Sequence, residues 1–212
     1  MKLRAFAQKY NGLTRDDYVI IAGDFGGVWC KDSLKDDLKK YVRLPFTLLF
    51  VDGNHENFDV LSAAPVEMWN GGKIHRVAEN VLHLMRGQVF TICGKTFFAF
   101  GGAESTDKEY RIEGKSWWAA EIPGSGDYAE AYKNLAAAGN KVDYIVTHTI
   151  DEDALRSPQI VQCGRGITAT NRALSRFENE VNYGHWYFGH YHIDSEITDR
   201  KTAIYQKIIK LT

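Results

Sequence analysis

Four apolar runs of strand length each stop at a turn-forming residue and then present a side chain able to hold a metal. Tyr18-Val19-Ile20-Ile21-Ala22 leads to Gly23-Asp24, with Gly26-Gly27 just beyond. Phe46-Thr47-Leu48-Leu49-Phe50 leads through Val51-Asp52 to Gly53-Asn54-His55-Glu56. Val142-Asp143-Tyr144-Ile145-Val146 leads to Thr147-His148, and Trp186-Tyr187-Phe188 leads to Gly189-His190-Tyr191-His192. Runs this short, bounded by turn residues, read as buried strands, and a glycine lets the backbone bend sharply where a strand stops. Open α/β folds place ligands at the carboxyl ends of their strands, so the four turns predict a shared site at one end of a sheet.

The residue types narrow the chemistry. Asn54 offers a hard amide oxygen, and the adjacent His55 carries a group that exchanges a proton near neutral pH. Together with Asp24, His148, His190 and His192 they form a set of carboxylate, amide and imidazole donors. Such a set suits manganese, iron or zinc better than calcium, which prefers all-oxygen sites, or copper(I), which prefers thiolates. His190 and His192 are two apart at an extended strand end, so their side chains can face the same way and serve neighbouring metals. The remaining histidines, His75, His83 and His185, read as ordinary core or surface groups.

Around these turns the chain alternates between helical and extended patterns. Residues 1–10 and 32–42 read as helices, the second with a charge run that belongs on a solvated face. Residues 73–76, 81–84, 88–93 and 95–100 are short, β-branched and aromatic, as in hairpins or a meander. A polar loop over residues 103–128 carries Lys108, Arg111, Trp117 and Trp118. A loop this long is a candidate substrate-facing lid, since a cation beside an aromatic ring suits a phosphorylated, ring-bearing ligand; the equal alternative is that Trp117 and Trp118 cover the core or an oligomer contact. Helices follow over residues 129–138 and 169–177, and residues 195–198 and 202–210 predict a final hairpin. With 44% hydrophobic and 25% charged residues, the 212 residues make a single domain, 1–212. A net charge of −1 gives no basic footprint for nucleic acid, which argues for a small or modest substrate. Cys30, Cys93 and Cys163 are too far apart for a metal pair or a disulfide framework, and read as reduced, mostly buried thiols. No apolar run reaches the roughly 18–20 residues of a membrane span and no signal peptide opens the chain. The expectation is a soluble cytoplasmic protein, with oligomerisation left open.

Taken in order, Gly23-Asp24, Gly53-Asn54-His55-Glu56, Thr147-His148 and Gly189-His190-Tyr191-His192 resemble the motifs of the calcineurin-like metallophosphoesterases, over essentially the whole chain. The resemblance implies an α/β sandwich of two mixed β-sheets flanked by helices. It also implies two divalent metal ions bridged by Asp24, one completed by Asn54, His148 and His190, the other including His192. In that family a hydroxide held between the metals attacks phosphorus, and His55 would donate the proton to the leaving oxygen. Two departures qualify the match. The Asp-x-His pair that precedes the Gly-Asp turn in the family has no counterpart before Asp24, His55 being the first histidine. The favoured expectation is a natural start upstream, since a lost central strand exposes long edges. The alternative is a catalytically impaired or structural member whose first metal has only Asp24 and His192. In addition, Gly26-Gly27 stands where many members have an acidic residue and an arginine, so substrate preference does not transfer from them.

Overall fold

All four apolar runs are strands, and they divide between two sheets. The computed structural model of the chain describes residues 3–164 and 166–211. In the first half α1 (Leu3–Lys9), β1 (Tyr18–Ala22), α2 (Leu34–Val42), β2 (Thr47–Val51) and α3 (Phe58–Ser62) alternate. Then come β3 (Val66–Trp69), β4 (Gly72–Ala78), β5 (Val81–Leu84), β6 (Gln88–Ile92) and β7 (Lys95–Phe100). The second half holds α4 (Ser125–Ala137), β8 (Lys141–Thr147), the short helices α5 (Glu152–Leu155) and α6 (Pro158–Val161), and α7 (Ala169–Glu180). It closes with β9 (Asn182–Phe188), β10 (Ser195–Thr198) and β11 (Lys201–Ala203).

One sheet has the order β1-β2-β5-β4-β3 and the other β10-β11-β9-β8-β7-β6. Both are mixed. β1, β2 and β5 run parallel, β4 runs antiparallel to β5 and β3 antiparallel to β4; β7, β8, β9 and β11 run parallel, with antiparallel β6 and β10 at the edges. The sheets pack face to face, Leu49, Val51, Ile74, Leu82 and Leu84 meeting Phe90, Ile92, Phe97, Ala99 and Val146. Every residue of β2 is buried, because alternate side chains serve opposite faces: Leu49 and Val51 point to the other sheet. Leu48 and Phe50 point outward to Leu38, Val60 and Leu61 under the first helices. On the far side Ala131, Leu135, Leu174 and Phe177 of α4 and α7 cover Phe98 and Phe100. The result is the α/β sandwich of two mixed sheets flanked by helices. β1 is the edge strand of its sheet, and a cleft of about 570 Å³ lies beside it, lined by Phe6, Ile20, Phe97, Val146, Tyr187 and Leu211 among others.

Several expectations require correction. The ligand-bearing turns lie at the ends of two sheets, not one: Asp24 and Asn54 follow β1 and β2, whereas His148 and His190 follow β8 and β9. β3 has no counterpart among the expected strands, because it is an edge strand of four residues with Val66 and Met68 exposed. Helix α4 starts at Ser125, earlier than its apolar pattern, because the Asp127 carboxylate accepts the Gly124 N–H at 2.8 Å and caps the first turn. The last strand ends at Ala203, because Asp194 accepts the backbone N–H groups of Tyr205, Gln206 and Lys207 and takes them out of the ladder. The thiols are not mostly buried: Cys30 and Cys93 are exposed and Cys163 is half-buried. Of the first predicted helix Met1 and Lys2 lie outside the described residues. The charge run of α2 is solvated as expected, only Leu38 being buried. His75, His83 and His185 are satisfied structural groups: His83 bonds both His75 and Asp52, and His185 bonds Thr202. Among the described residues no helix is long and apolar enough to cross a membrane.

Candidate active site

Backbone geometry at the strand ends aims the donors. Asp24, His190 and His192 all have left-handed backbone, φ 53°, 69° and 54°, which costs a non-glycine residue about 1–3 kcal/mol and persists only where surrounding structure enforces it. Close packing supplies that enforcement. A Cβ at Gly53 would lie 2.0 Å from the Asp24 carboxylate, and one at Gly23 would lie 2.0 Å from His148 Nδ1. The two sheets therefore approach at a distance that only glycine permits.

Four donors meet at His148 Nε2. Asn54 Oδ1 is 3.1 Å from it, His190 Nδ1 3.2 Å and Asp24 Oδ1 3.3 Å. Donor atoms bound about 2.1 Å from one metal lie about 3.0 Å apart across an octahedral edge and about 3.4 Å apart across a tetrahedral one. The tautomer of His148 agrees. Its Nδ1 lies 2.8 Å from the Ala22 carbonyl, which only accepts, so Nδ1 carries a proton and Nε2 is the ring atom turned toward the other donors. The Asn54 oxygen, the Asp24 carboxylate and the imidazole nitrogens thus face one another. Burial opposes charge on His148, yet the Asp24 carboxylate outweighs it and raises the imidazole pKa. Burial likewise works against ionised Asp24, but His148 and the His55 N–H hold its carboxyl well below the usual range. Among the described residues no three His, Cys, Asp or Glu side chains are by themselves disposed to hold a metal. With the Asn54 amide added, the donor types and spacings around His148 Nε2 are those that could hold one divalent ion.

His55 stands beside this centre. Its backbone N–H donates to Asp24 Oδ1 at 2.9 Å. Arg111 Nη1 lies 3.0 Å from His55 Nδ1, and because a guanidinium only donates, Nδ1 must accept. The neutral ring then carries its proton on Nε2. Arg111 is itself held by Asp107 at 2.7 Å and by the Ser116 carbonyl at 3.0 Å. The long loop thus reaches the site through Arg111. Lys108 is turned elsewhere: its ammonium pairs with Glu121 at 2.9 Å and lies over the Trp117 ring. Trp118 is buried, donates to Asp59 at 2.8 Å and packs against Trp29, so it covers the core. His192 lies outside the convergence, exposed and stacked on Tyr205 with ring centroids 4.9 Å apart.

Sequence reasoning passed over three supporting residues. Glu56, fully buried, accepts the Phe25 N–H at 2.7 Å and ties the turns after β1 and β2 together. Its place in Gly53-Asn54-His55-Glu56 was the available signal. Ser105 and Glu121 link to Asn54 through space, and no local pattern marks them.

An α/β sandwich with a carboxylate, amide and imidazole centre at its strand ends is the form this molecule takes. The model of the calcineurin-like phosphoesterase family matches residues 2–194 of the 212. The chain belongs to that family, whose members are metal-dependent phosphoester hydrolases. Comparison with curated proteins finds no match.

Proposed function

We propose that this chain hydrolyses a phosphate ester, with Asp24, Asn54, His148 and His190 holding one divalent ion and His55 giving the proton to the leaving oxygen. The observation that carries the reading is the meeting of four donors at His148 Nε2, beside a histidine whose own proton is fixed on Nε2. When bound, a divalent metal such as manganese, iron or zinc supplies a Lewis acid that neutralises phosphate charge and acidifies water. A second ion beside Asp24 would use His192 and needs donors beyond these two residues. Arg111 holds the His55 ring in place and adds positive charge near the phosphate. A small phosphate mono- or diester suits this neutral chain better than a nucleic acid. Three free cysteines suit a reducing, cytoplasmic setting.

The test is hydrolysis of an aryl phosphate monoester and an aryl phosphate diester. Turnover that disappears on chelation and returns with manganese or zinc supports the reading. Tight metal binding without turnover of any ester would instead support a member of the fold that keeps the metal and has lost the reaction.

A further inference from the structure

An asparagine ligand faces a problem that a carboxylate does not. Its amide has an oxygen at one side and an NH₂ of nearly the same shape at the other, and only the oxygen can bind a metal. Something must decide which side faces inward. In this structure the Asn54 Nδ2 donates to Ser105 Oγ at 3.0 Å, and Ser105 Oγ donates to Glu121 Oε2 at 2.7 Å. The other carboxylate oxygen, Oε1, receives the Ser105 N–H at 2.7 Å and the Lys108 ammonium at 2.9 Å. Glu121 is fully buried, and its backbone carbonyl accepts from Ala103 and Arg86. It is therefore a fixed carboxylate with a countercharge of its own.

The direction of this chain of bonds follows from chemistry. An ionised carboxylate only accepts, so the Ser105 hydroxyl must give its single proton to Glu121. The Ser105 oxygen is left to accept, so Asn54 must present its NH₂ there. The Asn54 oxygen then faces His148 and the other donors. We infer that Glu121 is a positioning residue which, through Ser105, sets the orientation of the Asn54 amide and so completes the metal-binding position. The inference rests on Asn54 being a metal ligand, as proposed above. It also gives Lys108 a role, as the countercharge that keeps Glu121 in place.

The experiment titrates manganese alone into the wild-type chain and into Asn54→Ala, Ser105→Ala, Ser105→Thr and Glu121→Gln, by calorimetry, with thermal melting of each. Ser105→Ala removes one oxygen and leaves the volume almost unchanged, so it decides the matter even if Glu121→Gln does not fold. Loss of such a supporting bond costs about 10–100-fold in metal affinity. That loss is expected for Ser105→Ala, while Ser105→Thr, which keeps the hydroxyl, should stay near wild type. Glu121→Gln, whose NH₂ can donate to Ser105 and reverse the chain, should weaken binding to a similar degree. If Asn54→Ala weakens manganese binding but Ser105→Ala binds like wild type, the positioning role is overturned and the ligand assignment stands. If Asn54→Ala itself binds like wild type, or the wild-type chain binds no manganese, the ligand assignment fails and the inference with it.

Discussion

Replacing His55 with alanine is expected to lower turnover about 10²- to 10⁴-fold, the usual contribution of a positioned general acid, and to leave metal content unchanged. His148→Ala is expected to remove both. The contrast follows from where the two rings sit. His148 Nε2 is the point at which Asn54, His190 and Asp24 meet within 3.3 Å, so its loss leaves the Asp24 charge and two other donors without their centre. His55 touches that set only through its backbone N–H, which alanine keeps, while its ring is turned to Arg111. Metal per chain by elemental analysis and turnover on an aryl phosphate ester measure the two effects separately. Equal metal loss in both variants would contradict these roles.

The second large effect concerns stability. Asp52 follows β2 and is buried, yet it is ionised among partners: Arg86 donates to Oδ2 through Nη2 at 2.6 Å and Nε at 2.9 Å, and His83 Nε2 lies 3.0 Å from Oδ1. Arg86 passes the constraint on, donating also to the carbonyls of Ala120 and Glu121. Asp52→Asn keeps the shape and removes the charge, leaving Arg86 buried with only Asp127 at 3.3 Å as an ionic partner. Breaking a buried ion pair in this way costs about 3–5 kcal/mol, to be read as the drop in unfolding free energy in urea. The pH dependence has a definite sign. Burial raises the Asp52 pKa, but Arg86 and His83 outweigh it and hold the carboxyl well below its ordinary value. A depressed folded-state pKa gives stability that is fully present above the unfolded value, about 3.9, and is lost as pH falls toward the folded one. The gap between wild type and Asp52→Asn should therefore be constant at neutral pH and narrow only below about pH 4. A gap that stays constant through pH 3 would contradict the ionised pair.

The strands and their ligand turns were legible in the sequence because each combines two independent signals, an apolar run and a glycine or threonine before a polar residue. What was not legible depends on contacts between distant residues. Nothing local separates Tyr18–Ala22 from Lys141–Thr147 as strands of different sheets; only pairing to β2 and to β7 and β9 does so. The roles of Lys108 and Trp118 were equally hidden, since a lysine that pairs with a buried glutamate and one that meets a substrate look alike in a polar loop. Arg111 was chosen for its charge, and its position on the His55 ring emerged only from the fold. The cysteines erred in the other direction: a tendency of free thiols toward burial does not fix a particular Cys30 at a surface turn.

The most direct measurement is anomalous diffraction from crystals of the chain grown with manganese. The account predicts a manganese peak among Asp24, Asn54, His148 and His190, about 2.0–2.2 Å from their donor atoms. No peak there, or a peak held by other residues, would contradict it.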